Sequence, residues 1–277
     1  MSPSGAGHRV EYLITTVSKF DAAAPASTLA PLLPESEHSA AARFRQARDG
    51  QAYTAAHVLF RLMAARWLGT DPGRAAELEV KRHCRSCGGA HGKPRIDGVE
   101  LSLSRSSDAV MVAAAPAGCA IGADLERIPA ELFAGFDNFA LSTAELASVS
   151  HSDISGRIRL WVAKEAALKA TSHGLALDPH TLSIEPTSCG TASTVLTGHL
   201  PTGIEPTVAK ATGTEPTVAP EPWTAVVRCT ATKELDGTNI AWLPAPDGYL
   251  AALATAGTPA VTRLDLAELM PVLTRAG

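Results

Sequence analysis

Two carboxylates stand two residues apart in the apolar stretch at residues 121–126, IGADLE. On a β-strand such residues project from the same face, so Asp124 and Glu126 would lie side by side. Adjacent carboxylates raise each other's pKa unless a cation lies between them. Mg²⁺ prefers hard oxygen ligands and often shares them with substrate phosphates. The strand therefore indicates a magnesium site, and two ordinary solvated acids at a strand edge are the alternative.

A second group of chemically useful residues lies at residues 161–169, WVAKEAALK. On a helix, Trp161, Glu165 and Lys169 are spaced four apart and share one face. Taken alone, Glu165 and Lys169 are typical of a surface ion pair worth about 0.2–0.5 kcal/mol, with Trp161 and Leu168 in the core. The upstream Asp-x-Glu strand is what gives this helix a functional interpretation.

The C-x-x-C pair Cys84 and Cys87, with His83 and His91 beside it, could hold a small zinc knuckle. The chain has five cysteines and no second C-x-x-C, and the neighbours His83 and Cys84 could hardly both bind one ion. The sequence favours a glycine-rich turn with two free thiols, and a structural zinc at Cys84, Cys87 and His91 is the alternative. The remaining cysteines are interpreted as small buried or loop residues: Cys119, Cys189 and Cys229.

The elements that must position these residues follow from hydrophobic periodicity. Strands are predicted at residues 10–17, 78–81, 99–103, 109–115, 119–126, 223–230 and 248–255. One or two helices are predicted at residues 35–68, and the clearest helix of the chain at residues 157–172. Ser142 and Glu145 have the spacing of a capping box and predict a further helix start.

Residues 186–222 break this pattern, because they are rich in Thr, Pro and Gly. They contain TGIEPTVA at residues 202–209 and TGTEPTVA at residues 212–219, a repeat with a period of ten. Two copies are too few for a solenoid. The composition disfavours a packed element, so we predict a low-complexity surface insertion that is mostly disordered.

Composition excludes several classes of function. Hydrophobic residues make up 45% of the chain and charged residues 19%, so a sizeable core can form. The net charge of -4 argues against an electrostatic nucleic-acid binder. The chain has no apolar run of about 18 residues and no apolar segment near its first residue, so we expect no membrane span and no secretory signal. The odd cysteine count favours reduced thiols and a cytoplasmic protein.

Taken together, the motifs resemble those of the 4′-phosphopantetheinyl transferase superfamily, in its surfactin-synthetase-activator type. The family strand (G/I)xDxE matches residues 122–126, and the family helix W-x-x-K-E-(A/S)-x-x-K matches residues 161–169. Gly-Lys-Pro at residues 92–94, followed by a strand and the turn Ser104-Arg105-Ser106, is similar to a third family motif. Residues 248–253, GYLAAL, resemble the last strand of the family. Three ordered motifs are far more specific than any one alone.

The resemblance implies an α+β fold of two halves related by a pseudo-twofold axis, each a small sheet packed with helices. Residues 1–118 would form the half on the coenzyme A side, and residues 119–277 the half with the magnesium-binding strand and helix. The active site would lie in the cleft between the halves, and a chain with both halves is expected to be a monomer. The implied reaction transfers 4′-phosphopantetheine from coenzyme A to a serine of an acyl or peptidyl carrier protein.

The resemblance also assigns roles to residues. Asp124, Glu126 and Glu165 would hold Mg²⁺, and Glu165 is the first candidate to accept the proton of the acceptor serine. Glu145 is the second candidate, with helix capping as the simpler alternative. Lys169 would contact phosphate. The residues that would bind coenzyme A are Arg45, Arg48, Lys93, Pro94, Ser104, Arg105, Asp124, Lys164 and Lys169.

The chain departs from the family pattern on the coenzyme A side. Arg105 stands where the family turn normally has a histidine that contacts phosphates, and Ala52 and His57 stand where relatives often have a basic residue. A cluster of Arg43, Arg45 and Arg48 could instead meet the 3′-phosphate, or could simply be a solvated helix face. Two alternatives therefore stay open: a member repurposed for another phosphopantetheinyl or coenzyme A substrate, and a non-catalytic carrier-protein binder.

Overall fold

The computed structural model describes residues 9–187 and 223–270. Nearly all of the predicted insertion, including both copies of the repeat and Cys189, lies outside the described residues. Within the described ranges, no helix combines the length and the apolar character needed to cross a membrane.

The described residues form eleven strands and eight α-helices. The strands are β1 (Arg9–Thr16), β2 (Lys81–Arg82), β3 (Pro94–Arg95), β4 (Val99–Ser106), β5 (Ala109–Pro116), β6 (Ile121–Arg127), β7 (Leu182–Pro186), β8 (Trp223–Cys229), β9 (Asn239–Leu243), β10 (Tyr249–Thr255) and β11 (Ala260–Arg263). The helices are α1 (Val17–Ala23), α2 (Ala26–Leu29), α3 (Glu35–Ala41), α4 (Ala47–Leu68), α5 (Phe136–Ala140), α6 (Thr143–Ser148), α7 (Ile154–Ala170) and α8 (Leu266–Leu269).

Two sheets, one of four strands and one of five, contain most of these strands. The first has the order β11-β1-β5-β4, with β11 parallel to β1 and the other neighbours antiparallel. The second is antiparallel throughout and has the order β6-β10-β9-β8-β7. β2 and β3 pair separately as a short ribbon.

The core consists of three clusters of buried apolar residues. One side of the first sheet packs on α4, whose buried face includes Val58, Leu59, Leu62 and Met63 at helical spacing. One side of the second sheet packs on α7. A third cluster joins residues from both sheets, with Met111 from β5 and Leu125 from β6 among its members. The helices thus lie outside and the two sheets meet between them.

The predicted α+β class is confirmed, because the described residues form several sheets packed with helices. The pseudo-twofold relation and the division at residue 118 stay predictions. The structure adds that β11, late in the chain, lies in the first sheet beside β1. The strand predicted at residues 78–81 is wrong over residues 78–80, where a 3₁₀-helix ends at Glu77 and β2 begins only at Lys81.

β6 and α7 approach each other backbone to backbone at Gly122. A Cβ atom at this position would lie 1.8 Å from the carbonyl oxygen of Ala166 and 2.5 Å from the amide nitrogen of Ala170. Only glycine leaves room for such an approach. The contact fixes the distance between the strand that has Asp124 and the helix that has Glu165.

Candidate active site

The predicted carboxylate pair lies at the seam between the two sheets. Asp124 and Glu126 point from β6 toward β4, whose alternate serines face them. The Ser104 hydroxyl donates to Asp124 Oδ1 at 2.8 Å, and the Ser106 hydroxyl donates to Glu126 Oε2 at 2.6 Å. Because both strands have a side-chain period of two, the two hydrogen bonds repeat in register.

Helix α7 brings the other half of the predicted cluster to the same place. Lys169 Nζ lies 2.5 Å from Asp124 Oδ1 and 3.1 Å from the Ser104 hydroxyl. Glu165, one turn earlier on the same face, is close enough for Asp124, Glu126 and Lys169 to influence its charge. The structure therefore brings together Asp124, Glu126, Glu165, Lys169 and Ser104, which the sequence placed in separate motifs.

Burial and mutual repulsion dominate the electrostatics of this cluster. Burial, together with the charges of Asp124 and Glu126, raises the pKa of Glu165 to about 7, although Lys169 opposes the shift. Burial and the neighbouring Asp124 also raise the pKa of Glu126. Burial alone would lower the pKa of Lys169, but the surrounding carboxylates raise it above its usual value. Three carboxylates around a single ammonium group are left with excess negative charge.

The unpaired oxygens of the cluster show what it could bind. Asp124 Oδ2 and Glu165 Oε1 are buried and have no hydrogen-bond partner among the described residues. A buried polar atom without a partner costs about 1–3 kcal/mol, so such atoms in a folded protein call for an explanation. Hard carboxylate oxygens with excess negative charge fit a divalent cation such as Mg²⁺. The donor chemistry therefore suits the predicted metal, although the oxygens of the three carboxylates do not all lie within 4.8 Å of one another, so that binding one ion would require side-chain movement.

Two other predicted site residues form a separate, buried pair. Lys164 Nζ lies 2.5 Å from Glu145 Oε2 and also donates to the carbonyl oxygens of Ala140 and Pro179. Glu145 accepts further bonds from the backbone amides of Ser142 and Ile184. Burial lowers the pKa of Lys164 despite its partner.

No hydrogen bond or ion pair within the described ranges joins this pair to the carboxylate cluster. Ser142 and Glu145 form the capping box of α6, as the simpler prediction for Glu145 had it. The catalytic role of Glu145 and the coenzyme A contact of Lys164 therefore gain no geometric support, and we leave both residues out of the proposed site.

A cleft of about 540 Å³ opens beside the cluster. It is lined by the loop before β3, by β4, and by the end of α7 with the turn after it, and Lys93, Pro94 and Lys169 are on its wall. Lys93 Nζ donates to the carbonyl oxygen of Ile121 at 2.6 Å. Burial lowers the pKa of Lys93 to about 8. The cleft thus has two amines on its wall, those of Lys93 and Lys169, and its size suits a small organic ligand.

Arg105 lies on aromatic rings at the end of β4. Its guanidinium carbon is 4.9 Å from the ring centroid of Phe44 and 5.8 Å from that of Tyr53. Such stacking orients a guanidinium without using its hydrogen-bond donors. Phe44 is itself flanked by the exposed Arg43 and Arg45, with exposed Arg48 shortly after. Arg105 therefore contacts the segment of the chain that has the three other predicted arginines.

The histidine at position 57 has a structural partner instead. Its Nδ1 lies 3.0 Å from Glu37 Oε1, and Arg61 lies on the same carboxylate. Burial alone would raise the pKa of Glu37, but hydrogen bonds from His57 and Arg61 lower it to about 2. His57 is buried, so it is not exposed for a phosphate contact.

The sequence interpretation missed the role of Ser102, Phe44 and Tyr53. Ser102 accepts a bond from the amide of Ala123 at 2.9 Å, which extends the row formed by Ser104 and Ser106. A serine at every second position of one strand was a visible signal for that row. The aromatic rings under Arg105 gave no such signal, because residues far apart in sequence meet there.

Residues 120–213 match the family model of the 4′-phosphopantetheinyl transferase superfamily (ACPS). The match begins just before β6 and spans both the Asp-x-Glu strand and α7, the two elements that form the carboxylate cluster. Over these residues the chain is similar to this superfamily, which supports a transferase of the phosphopantetheinyl type. The surfactin-synthetase-activator subtype stays a prediction. A comparison with curated proteins gave no match.

Proposed function

We propose that this protein transfers 4′-phosphopantetheine from coenzyme A to a serine of an acyl or peptidyl carrier protein, in a Mg²⁺-dependent reaction. The observation that supports it best is the meeting of Asp124, Glu126 and Glu165 beside Lys169, with two buried carboxylate oxygens left without partners. We further propose that the protein is monomeric and cytoplasmic, as the sequence predicted.

In the proposed site, Asp124, Glu126 and Glu165 hold the metal. When bound, Mg²⁺ would neutralise charge on the pyrophosphate of coenzyme A. Lys169 contacts the same phosphates from α7, and Ser104 orients Asp124 through its hydrogen bond. These residues act by positioning and electrostatics, which supply most of the catalysis in phosphoryl transfer.

The proposed chemical step transfers the phosphopantetheinyl group to the oxygen of the acceptor serine. The acceptor serine hydroxyl gives its proton to the carboxylate of Glu165, and its oxygen forms a bond to the phosphorus nearest the pantetheine. The bond from that phosphorus to the bridging oxygen breaks, and adenosine 3′,5′-bisphosphate leaves. A carboxylate with a pKa of about 7 suits a general base near neutral pH.

The cleft beside the cluster is the proposed place for coenzyme A. Lys93, Pro94 and Lys169 line its wall. Arg105 is stacked on Phe44, and Arg43, Arg45 and Arg48 are close to Phe44 in the chain. Arginine is always charged and binds phosphate with two parallel hydrogen bonds. We propose that these arginines contact the 3′-phosphate and that the pyrophosphate lies at the carboxylates.

The experiment that tests the proposal is direct. The purified protein is incubated with coenzyme A, Mg²⁺ and several apo carrier proteins, and the products are weighed by mass spectrometry. We expect one carrier at least to gain the mass of one phosphopantetheine group. Coenzyme A binding without a mass gain on any carrier would instead favour the repurposed alternative, which the Arg105 substitution motivates. Binding of a carrier protein without coenzyme A binding and without a mass gain would favour the non-catalytic alternative.

Metal affinity should depend on pH through Glu165. The proton and the cation compete for this carboxylate, whose pKa is about 7, so Mg²⁺ affinity falls as the pH drops through 7. We expect the dissociation constant to be about tenfold higher at pH 6 than at pH 8. Calorimetric titration at three pH values measures it, and an affinity independent of pH would contradict the assignment of Glu165 as a ligand.

Arg105→Ala should weaken coenzyme A binding. Loss of a guanidinium that binds phosphate is expected to raise the dissociation constant for coenzyme A at least about tenfold. This corresponds to a loss of about 1.4 kcal/mol in binding free energy. The salt dependence of binding should become shallower in the variant, because one charge contact is gone. Calorimetric titration at two salt concentrations measures both effects. Equal affinities of the variant and the wild type would show that Arg105 points away from the ligand.

An exposed aromatic patch lies next to the face of α7 that has Glu165. Phe133 is 61% exposed and Phe139 40% exposed, and Phe139 packs against Trp161 with ring centroids 5.3 Å apart. Trp161 precedes Glu165 by one helical turn, so the patch adjoins the carboxylate cluster. Aromatic residues are common energetic centres of protein interfaces. We propose that the carrier protein docks on this patch, which we define as Phe133, Phe139 and Trp161.

The Phe133→Ala, Phe139→Ala double variant should therefore raise the KM for the carrier protein. We expect at least about a tenfold rise, since interface aromatics often contribute more than about 1 kcal/mol each. The KM for coenzyme A should stay within about twofold of the wild-type value. Steady-state kinetics with each substrate varied in turn measures both constants. An unchanged KM for the carrier would remove the patch from the docking surface.

A further inference from the structure

The loop between β2 and β3 gathers two thiols and an imidazole. One ligand atom from each of Cys84, Cys87 and His91 lies within 4.8 Å of the other two. Cys87 Sγ and His91 Nε2 are only 2.9 Å apart. Neither the carboxylate cluster nor the proposed transfer step uses these three residues.

Backbone hydrogen bonds within the loop help to bring Cys84, Cys87 and His91 together. The amide of Cys84 donates to the carbonyl oxygen of Gly89, and the amide of Gly88 donates to the carbonyl oxygen of Cys84, each at 2.9 Å. These two bonds close a tight turn that holds Cys84 and Cys87 on one side. These backbone hydrogen bonds therefore support the turn, and a bound ion would stabilise it further.

Two glycines, Gly89 and Gly92, leave the space that His91 needs to come close to Cys84 and Cys87. A Cβ atom at Gly89 would lie 3.1 Å from His91 Cδ2 and 3.3 Å from Cys87 Sγ, so a side chain there would press on both. Gly92 has a φ of +100°, which L side chains rarely adopt, and a Cβ atom there would lie 3.2 Å from the carbonyl oxygen of His83. The glycines thus let His91 turn back onto the C-x-x-C pair.

The chemistry of this group differs from that of the carboxylate cluster. Two cysteine sulfurs and one histidine nitrogen are soft or borderline ligands, which select Zn²⁺ over Mg²⁺. A zinc ion bonds to sulfur at about 2.3 Å and to nitrogen at about 2.0–2.1 Å, so ligand atoms around one ion lie roughly 3.3–3.8 Å apart. The separations in the loop reach this range with small side-chain movements.

We propose that Cys84, Cys87 and His91 bind one Zn²⁺ ion, with the fourth coordination position open to the cleft. The three residues line the same 540 Å³ cleft as Lys93 and Lys169, so a water molecule can reach the ion from there. The sequence alone favoured two free thiols. The meeting of His91 with both sulfurs, which its spacing does not dictate, reverses that preference.

The position of the loop indicates that a bound zinc ion would stabilise the structure around the cleft. Arg85 donates to the carbonyl oxygen of Thr171 at 3.0 Å and forms an ion pair with Glu234 at 2.7 Å. Thr171 directly follows the last residue of α7, and Glu234 precedes β9 in the second sheet. The loop therefore bridges from the β2–β3 ribbon to the far wall of the cleft, and the ion would hold that bridge in one conformation.

The test uses the full chain under reducing conditions, without coenzyme A or carrier protein. Metal is first removed with a chelator, and the protein is titrated with Co²⁺ and then with Zn²⁺. We expect one equivalent of Co²⁺ to give the near-ultraviolet absorption of thiolate-bound cobalt, and one equivalent of Zn²⁺ to abolish it. Amide hydrogen exchange of residues 83–92 should slow when zinc is bound.

Variants identify the ligands. Cys84→Ser and Cys87→Ser should each weaken zinc binding at least about a hundredfold, because even changes outside the ligand set cost about 10–100-fold. Cys229→Ser, a matched change at a thiol outside the cluster, should bind zinc as the wild type does. His91→Ala, at an exposed position, should weaken binding at least about tenfold and serves if a cysteine variant fails to fold.

The proposal is overturned if the wild type binds zinc no more tightly than Cys84→Ser, or no more tightly than His91→Ala where the cysteine variants do not fold. It is also overturned if Cys84 and Cys87 form a disulfide in air with stoichiometric zinc present. Because no transferase substrate is used, these outcomes are independent of whether the proposed transfer reaction occurs.

Discussion

Glu165→Gln is expected to give a folded protein that transfers phosphopantetheine at least about a hundredfold more slowly than the wild type. The change removes one negative charge from a cluster that is proposed to hold the metal, and it removes the proposed base. Asp124→Ala and Glu126→Ala should lose at least about a hundredfold as well, and Asp124→Ala should also lower the affinity for Mg²⁺. Transfer rates measured by mass spectrometry at saturating substrates report the losses.

Stability measurements separate this effect from misfolding. Burial raises the pKa of Glu165, so its ionised form is disfavoured in the folded protein. Without metal and above pH 7, Glu165→Gln should therefore unfold at the wild-type temperature or higher. Glu185→Gln, at an exposed position on β7, is the matched control and should keep the full rate. Near-normal rates in two of the three cluster variants would show that the site is elsewhere.

Gly122→Ala should destabilise the fold by about 3 kcal/mol or more, which is at the upper end for overpacking a core. The added methyl would lie 1.8 Å from the carbonyl oxygen of Ala166, so β6 and α7 must move apart. That movement would also separate Asp124 on the strand from Lys169 on the helix, whose atoms now lie 2.5 Å apart. Denaturant unfolding measures the loss, and the transfer rate should fall with it.

The control for this prediction is Gly257→Ala. A Cβ atom at Gly257 has no neighbour within 4 Å, so the substitution should change the free energy of unfolding by less than about 0.5 kcal/mol. If Gly122→Ala were as stable as Gly257→Ala, the backbone contact between β6 and α7 would not be the constraint that we describe.

The sequence indicates which residues of the carboxylate cluster share a face, because each motif lies within one regular element. Asp124 and Glu126 share a face through the two-residue period of a strand, and Glu165 and Lys169 through the turn of a helix. What joins the two motifs is tertiary packing, and only the family resemblance suggested it. Lys164 shows the limit: it is adjacent to Glu165 in sequence but points to the opposite side, where it pairs with Glu145.

Other features had no local signal. β7, β9 and β11 are strands of four or five residues, and the sequence interpretation did not include them. β11 has no clear alternation of buried and exposed residues, and its place is decided by a partner some 250 residues earlier in the chain. The stacking of Arg105 on Phe44 and Tyr53 likewise depends on contacts between distant segments.

The position of β11 has a consequence for synthesis on the ribosome. β1 lies between β5 and β11, so one of its edges has no partner until residues 260–263 have been made. At about 5–20 residues per second, the interval after β5 is on the order of ten seconds. An open strand edge can pair with another chain during that time. Nascent chains truncated before residue 260 should therefore aggregate more readily than the full chain, even though every residue of the proposed metal cluster is already present in them.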